Sequence, residues 1–231
     1  MKKPTLSVVV PAYNEEENLS KAVENLLSAV KNKCGDYEIL IFNDCSKDKT
    51  GVIADKLASK NKKIKAIHNE RNRGLGYNYI TAAKMAKMDY FCLFPGDNEN
   101  AVESFSSMLD NIGEADIIIP YTINTGVRSF NRLIISNSFT VLLNVLFNLN
   151  LKYFNGNAVY RTKDLKKIEV KTHGFAYSAE ILVKLLKKGY SYKEVGITIN
   201  PTKKTKIFRI KNIISVFWTI IMLFFDIYLR K

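Results

Sequence analysis

Two carboxylates, Asp97 and Glu99, stand one residue apart in the stretch FPGDNEN, residues 94–100, just after the apolar run at 90–93. Hard divalent cations take oxygen ligands and keep water or phosphate in their shell, so one or two carboxylates suffice to hold Mg2+ or Mn2+ beside a phosphate group. A departing diphosphate needs its growing charge neutralised, and a bound cation does that. The same corner also reads as an ordinary solvated turn, and the heptad alone does not separate the two readings. Two more polar clusters follow apolar runs: Tyr13-Asn14-Glu15 after residues 6–10, and Asn43-Asp44 after residues 37–42.

The elements that must position these clusters alternate along the first half. Residues 6–10 are β-branched, end at Pro11 and read as a buried strand. Residues 18–30 place Leu19, Ala22, Val23, Leu26, Leu27 and Val30 on one helical face. Strands are then expected at 37–42, 64–67, 90–94 and 115–119, and helices at 46–57, 77–88 and 101–112. Such alternation predicts an α/β fold, a mostly parallel sheet flanked by helices. Ligands of these sheets bind beyond the carboxyl ends of the strands, where all three polar clusters fall. They are expected to meet in one crevice.

The second half has a different character. Nearly all of the net charge of +13 falls in residues 152–231, which points to an anionic partner, a membrane or a nucleic acid. No aromatic-interleaved basic groove or recognised nucleic-acid motif accompanies the charge, and the long apolar stretches suit lipid better. Residues 130–151 are apolar around the whole circumference of a helix, which requires burial in protein or in lipid. A helix at 178–188 and a strand at 192–199 are also expected. Residues 213–229, IISVFWTIIMLFFDIYL, are short for a membrane span and contain Asp226. Lysines and arginines flank them, so an interfacial helix with Trp218 at headgroup depth is expected. This divides the chain into a catalytic domain, 1–206, and a membrane-associating helix, 207–231. Cys34, Cys45 and Cys92 lack metal-ligand spacing and read as reduced thiols of a cytosolic setting. The N-terminal apolar run is too short for a signal-peptide core.

Five motifs in order resemble the family-2-type inverting glycosyltransferases of the GT-A fold: VPAYNEEENL, IFNDCSKDKT, NRGLGYNYITAAKMA, LFPGDNE and GFAYSAEIL, spread over residues 6–182. Within that family the likeness is greatest to the polyprenol-phosphate sugar transferases. The elements that carry it are Arg132-Leu133-Ile134-Ile135-Ser136 ahead of an apolar helix, YFNGNAVYR at 153–161, and Thr205-Lys206 before the tail.

The resemblance implies transfer of a sugar from a GDP- or UDP-linked donor to a polyprenyl phosphate, at the cytoplasmic face of a membrane, assisted by Mg2+ or Mn2+. A membrane partner subunit is compatible with it. A glycan or glycolipid acceptor is the alternative. By position, Pro11, Tyr13, Glu15, Phe42 and Asp44 would frame base and ribose. Gly96 and Asp97 would stand at the diphosphate, with Asp97 and Glu99 as metal ligands. Arg132 and Lys206 would hold phosphate groups, and Asp97 and Arg132 would carry the catalysis. The pattern departs from the family at Pro95, where the first Asp of D-x-D is expected, and at Asn43. An arginine expected near Thr122 has Arg128 as its replacement from the next loop. Glu180 reads as an orienting group for a neighbouring Lys or Arg, and Asp44 has a second reading as a turn cap.

Overall fold

The computed structural model describes residues 3–97, 101–174, 176–200 and 210–229. Seven strands among them form one sheet: β1 (Thr5–Ala12), β2 (Asp36–Asn43), β3 (Ile64–His68), β4 (Tyr90–Leu93), β5 (Ile117–Thr122), β6 (Val159–Arg161) and β7 (Tyr192–Ile197). Their order is β3-β2-β1-β4-β6-β5-β7. Strand β6 runs antiparallel to both neighbours and the other described pairs are parallel, so the sheet is mixed. Residues 159–161 are too few to show a period, which is why no strand was expected there.

The helices are α1 (Leu19–Lys33), α2 (Thr50–Lys60), α3 (Leu75–Met85), α4 (Val102–Asp110), α5 (Phe130–Phe147), α6 (Thr162–Leu165), α7 (Tyr177–Lys187) and α8 (Ile210–Tyr228). Alternation along β1 builds two cores. Leu6, Val8, Val10 and Ala12 pack with Leu19, Val23, Leu26 and Phe105 of α1 and α4. Val9 faces the other layer, with Tyr79, Leu143, Ile181 and Leu223 of α3, α5, α7 and α8. Each such valine, removed wholly from water, contributes about 1.5–3 kcal/mol. Cys34 and Cys92 are buried, and desolvation raises the Cys34 thiol to about 11 and pushes that of Cys92 well up, so both are inert packing groups.

Three departures from the expected elements have local causes. Helix α2 begins at Thr50 rather than 46, because residues 46–49 are tied to the loop after β1. Asn14 sits in the left-handed region at φ 56°, a conformation Asn tolerates, and its Oδ1 accepts from the Lys47 N–H at 2.9 Å. The Glu16 and Lys49 N–H groups bond to Asp48 and Glu16 carboxylates in turn. Helix α5 stops at Phe147 rather than near 151, because Asn148 adopts φ 47° and caps it, while the Asn144 side chain bonds both the N–H and the C=O of Leu151. Helix α5 is also largely uncovered: Thr140, Leu143 and Phe147 are its buried residues, and Val145 is 75% exposed. The third is α3, which starts at Leu75 directly after the Gly74 turn fixed by Asp44, and ends at Met85 because the N–H groups of Lys87 and Met88 turn to Ser7 and Glu38.

Candidate active site

Strands β2, β1 and β4 are neighbours and parallel, so their carboxyl ends lie side by side at the point where the strand order reverses. The loops that follow them carry the three polar clusters. Glu15, Asp44 and Asp97 line one cleft of about 340 Å³, together with Pro11, Tyr13 and Gly96. The crevice expected from the sequence therefore exists. The end of β5 closes its far side with Pro120, Thr122 and Arg128, and the start of α5 adds Arg132.

Asp44 is buried and deeply engaged. Its Oδ1 accepts from Asn69 Nδ2 at 2.7 Å and the Arg73 N–H at 2.8 Å, and its Oδ2 from the Gly74 N–H at 2.8 Å. It latches the turn before α3 against the cleft, whereas the turn directly after β2, which Asp44 was expected to cap, is bonded by Asn43 Oδ1, which accepts from the Ser46 N–H at 3.1 Å. Asn69 Nδ2 also donates to Asn78 Oδ1 at 2.7 Å, and Asn78 is itself a buried wall of the cleft. The Glu15 N–H donates to Thr50 Oγ1 at 2.8 Å, and one Glu15 carboxylate oxygen accepts from Asn18 Nδ2 at 2.8 Å.

Gly96 has a steric reason to be glycine. A Cβ there would lie 2.7 Å from the carbonyl oxygen of Pro11, so any side chain would force the turn away from β1 and take Asp97 with it. Pro95 also lines the cleft and has no oxygen to offer a cation from its side chain. Glu99 and Lys206 lie outside the described residues, as does Phe175. Among the described residues no group of three or more His, Cys, Asp or Glu side chains gathers for a metal. Asp97 is a donor suited to a hard cation whose remaining ligands come from phosphate and water, and the residues present fit such a site.

Phe42 is not where the sequence placed it. It is fully buried in the core beneath α3 and is not a lining residue of the cleft. Its side chain alternates to the helix-covered face of β2, so it supports the cleft floor rather than touching a ligand.

Arg128, expected as the replacement for an arginine near Thr122, lines the cleft beside Thr122. Its guanidinium lies 5.2 Å from the Tyr153 ring centroid and Nη1 donates to the Tyr153 hydroxyl at 3.2 Å. Its Nε is buried without a protein partner, an unmet donor beside the cleft. Tyr153, Asn155 and Asn157 were not singled out individually. The signal was the Asn-Gly-Asn turn inside YFNGNAVYR, which places two amides on one tight loop at the cleft. Glu180 is not at the cleft. It is buried at the start of α7 and accepts from the Lys171 and Thr172 N–H groups and from Lys184 Nζ, the orienting part expected of it. His68 bonds Asn43 and Asp55 at 3.0 Å each, a structural link between β3, β2 and α2.

A mixed sheet with an acidic and cationic cleft at the ends of its first strands is the arrangement of a sugar-nucleotide transferase of the GT-A type. Residues 7–169 match the glycosyl transferase family 2, and the chain belongs to that family. It is 29% identical over 204 residues to polyprenol monophosphomannose synthase of Mycolicibacterium smegmatis, spanning 83% of this chain and 76% of that protein. To undecaprenyl-phosphate mannosyltransferase of Micrococcus luteus it is 25% identical over 201 residues, spanning 82% and 81%. The crystal structure of glucosyl-3-phosphoglycerate synthase from Mycobacterium tuberculosis in complex with UDP shares the fold. Its TM-score is 0.69 over 97% of this chain and 80% of that one, at 14% identity. The same synthase has been crystallised with Mn2+, UDP and phosphoglyceric acid. The chain is a glycosyltransferase, and the likeness to polyprenol-phosphate sugar transferases read from the motifs holds.

Proposed function

We propose that this glycosyltransferase moves a sugar from a GDP- or UDP-linked donor to a polyprenyl phosphate at a membrane surface, with inversion at the anomeric carbon. The observation that carries the reading is the gathering of Glu15, Asp44, Asp97, Arg128 and Arg132 in one cleft, with Arg132 on a helix whose outer face is exposed and apolar. The names of the two mannosyl-transferring relatives support the acceptor class.

Base and ribose lie against Pro11, Tyr13 and Glu15, on the floor that Asp44 holds in shape. Asp97, with Glu99 as a second ligand, would hold Mg2+ or Mn2+, which would neutralise charge on the diphosphate. An oxygen of the acceptor phosphate attacks the anomeric carbon, and the bond from that carbon to the donor diphosphate breaks, its electron pair leaving with the nucleoside diphosphate. The attacking oxygen is already anionic, so no strong protein base is needed. Catalysis rests on positioning and on charge stabilisation, with Arg128, Arg132 and Lys206 holding phosphate oxygens. Residues 1–206 carry this chemistry and residues 207–231 the membrane contact.

The experiment incubates the full-length protein with short polyprenyl phosphate, a panel of labelled nucleotide sugars, and Mg2+, Mn2+ or chelator. Label entering a mild-acid-labile lipid fraction is the expected result. Label passing only to a glycan or glycolipid would replace the acceptor. Full activity of Asp97→Ala, or of wild type in chelator, would remove the cation.

A further inference from the structure

The stretch 169–174 is held from two sides. From the core, Glu180 accepts the N–H groups of Lys171 and Thr172 at 3.0 and 2.9 Å. Lys184, which bonds Glu180 at 2.6 Å, also donates to the Glu169 carbonyl at 2.8 Å. From outside, α8 grips the same residues. Lys171 Nζ donates to both Asp226 oxygens at 2.8 and 2.7 Å, with Lys184 3.5 Å from one of them. Thr172 Oγ1 donates to Thr219 Oγ1 at 3.3 Å, and a Cβ on Gly174 would meet Ser215 Oγ at 3.1 Å. Asp226, a costly residue on a helix that meets lipid, is thus turned inward and paired.

What this stretch touches next is the cleft wall. A Cβ on Gly76 would lie 2.5 Å from the His173 carbonyl oxygen, and the His173 and Tyr77 rings are 6.0 Å apart. The first turn of α3 is therefore seated on the backbone of His173. Leu75 and Asn78 of that turn line the cleft, and the N–H groups of Arg73 and Gly74 end on Asp44. Packed and hydrogen-bonded contacts run without a break from α8 to the donor side of the cleft, the kind of contiguous network through which a distant contact is felt.

We infer that Asp226 and Thr219 of α8, with Glu180 of α7, are positioning residues for donor binding: they fix residues 169–174 against Gly76 and thereby hold the first turn of α3 and Asp44 in the shape that receives the nucleoside diphosphate. The inference rests on the reading of the cleft as the donor site. It gives α8 an inward function separate from the membrane contact of its outer face, so donor affinity depends on α8 even where no membrane is present.

The test uses the full-length protein and measures binding of GDP and of UDP, each with Mn2+, by titration calorimetry. Asp226→Ala and Thr219→Val are expected to raise the Kd of the bound nucleotide by about 5-fold or more, the lower end of coupling between sites. Asp226→Glu, which restores a carboxylate, recovers most of the loss. In turnover the donor KM rises while kcat stays within about two-fold, the mark of lost ground-state binding. Amide exchange quickens at residues 171–174 and 73–78 and is unchanged in β1 and α1, which a general loss of stability would not produce. Should Asp226→Ala fail to fold, Thr219→Val, nearly equal in volume, decides the matter alone. Folded variants with wild-type Kd overturn the inference and leave the donor reading standing. Failure of the wild type to bind either nucleotide removes the donor reading and this proposal with it.

Discussion

In the proposed function the cleft divides its polar residues between those that would meet a ligand, Asp97 and Arg128, and those that hold the walls, as Asp44 holds the turn before α3. Asp97→Ala is expected to lower turnover by about 10²–10³-fold or more, as removal of one charge-stabilising group does, while leaving the unfolding midpoint near wild type. Turnover and thermal unfolding of the same preparation check both halves. For Arg128 the argument is its place in the cleft lining with a buried Nε that has no protein partner, which suits the proposed role of holding a phosphate. Arg128→Lys keeps the charge but loses the fork, so kcat/KM should still fall, by about 10-fold, with Arg128→Ala lower again. Equal values for Lys and wild type would mean that the guanidinium geometry is idle. Gly96→Ala places a methyl group 2.7 Å from the Pro11 carbonyl and should cost as much activity as loss of Asp97, through displacement of the turn. The places of Asp97 and Glu15 in the cleft were legible because their motifs keep residue type and order. Phe42 was not, because a motif does not say on which face of a strand a side chain emerges, and here the pleat turns it into the core.

Among the elements, the alternating first half was legible because each strand is β-branched and each helix has one apolar face, so pattern and packing agree. Strand β6 was not, since its place between β4 and β5 is fixed by tertiary pairing alone. Helix α5 passed for a buried or lipid-facing helix, and the structure leaves Phe130, Ile134, Ile135, Val141, Leu142 and Val145 exposed on it. Helix α8 carries a similar outer stripe of Phe217, Trp218, Met222 and Phe225, continued by Leu229 just past its end. The two helices meet at their carboxyl ends, where Tyr228 stacks on Phe147 at 6.2 Å and its hydroxyl donates to the Leu146 carbonyl. Exposed apolar faces on two neighbouring helices are the kind of surface that meets lipid or a partner. Replacing Trp218 and Phe225 by Ser should lower the partition coefficient onto vesicles of phosphatidylglycerol and phosphatidylcholine by about 100-fold or more, since burying each aromatic side chain is worth about 1.5–3 kcal/mol. Undiminished sedimentation would take the outer stripe of α8 out of the membrane contact.

For the molecule as a whole, the near-neutral first half and the basic second half are not separable units, because β6 from the second is paired on both sides by strands from the first. Helix α8 is held to that body by apolar contacts of Ile220 and Leu223 and by the ion pairs of Asp226. Burial alone would push the Glu180 carboxyl up, but hydrogen bonds from the Lys171 N–H, Lys184 and the Thr172 N–H outweigh it and hold the group below its ordinary value. The Lys171 hydrogen bond, aided by the Lys184 charge, lowers Asp226 as well, against a smaller opposing effect of burial. Two carboxylates and two ammonium groups thus form a balanced square between α7, α8 and the stretch at 169–174. A carboxylate depressed in the folded state adds stability that is present above its unfolded value, about 4, and is lost as pH falls through the lower folded one. The thermal midpoint should therefore be flat from pH 7 to about 5 and fall below about 4. Asp36, Asp48 and Asp116 are lowered too and share in that acid limb, so the informative quantity is the difference between proteins. Glu180→Gln should start lower at pH 7, because two backbone N–H groups and Lys184 lose their anion, and should converge on wild type in acid. Midpoints measured at half-unit steps decide it: parallel curves for the two proteins would mean that Glu180 contributes no pH-dependent stability.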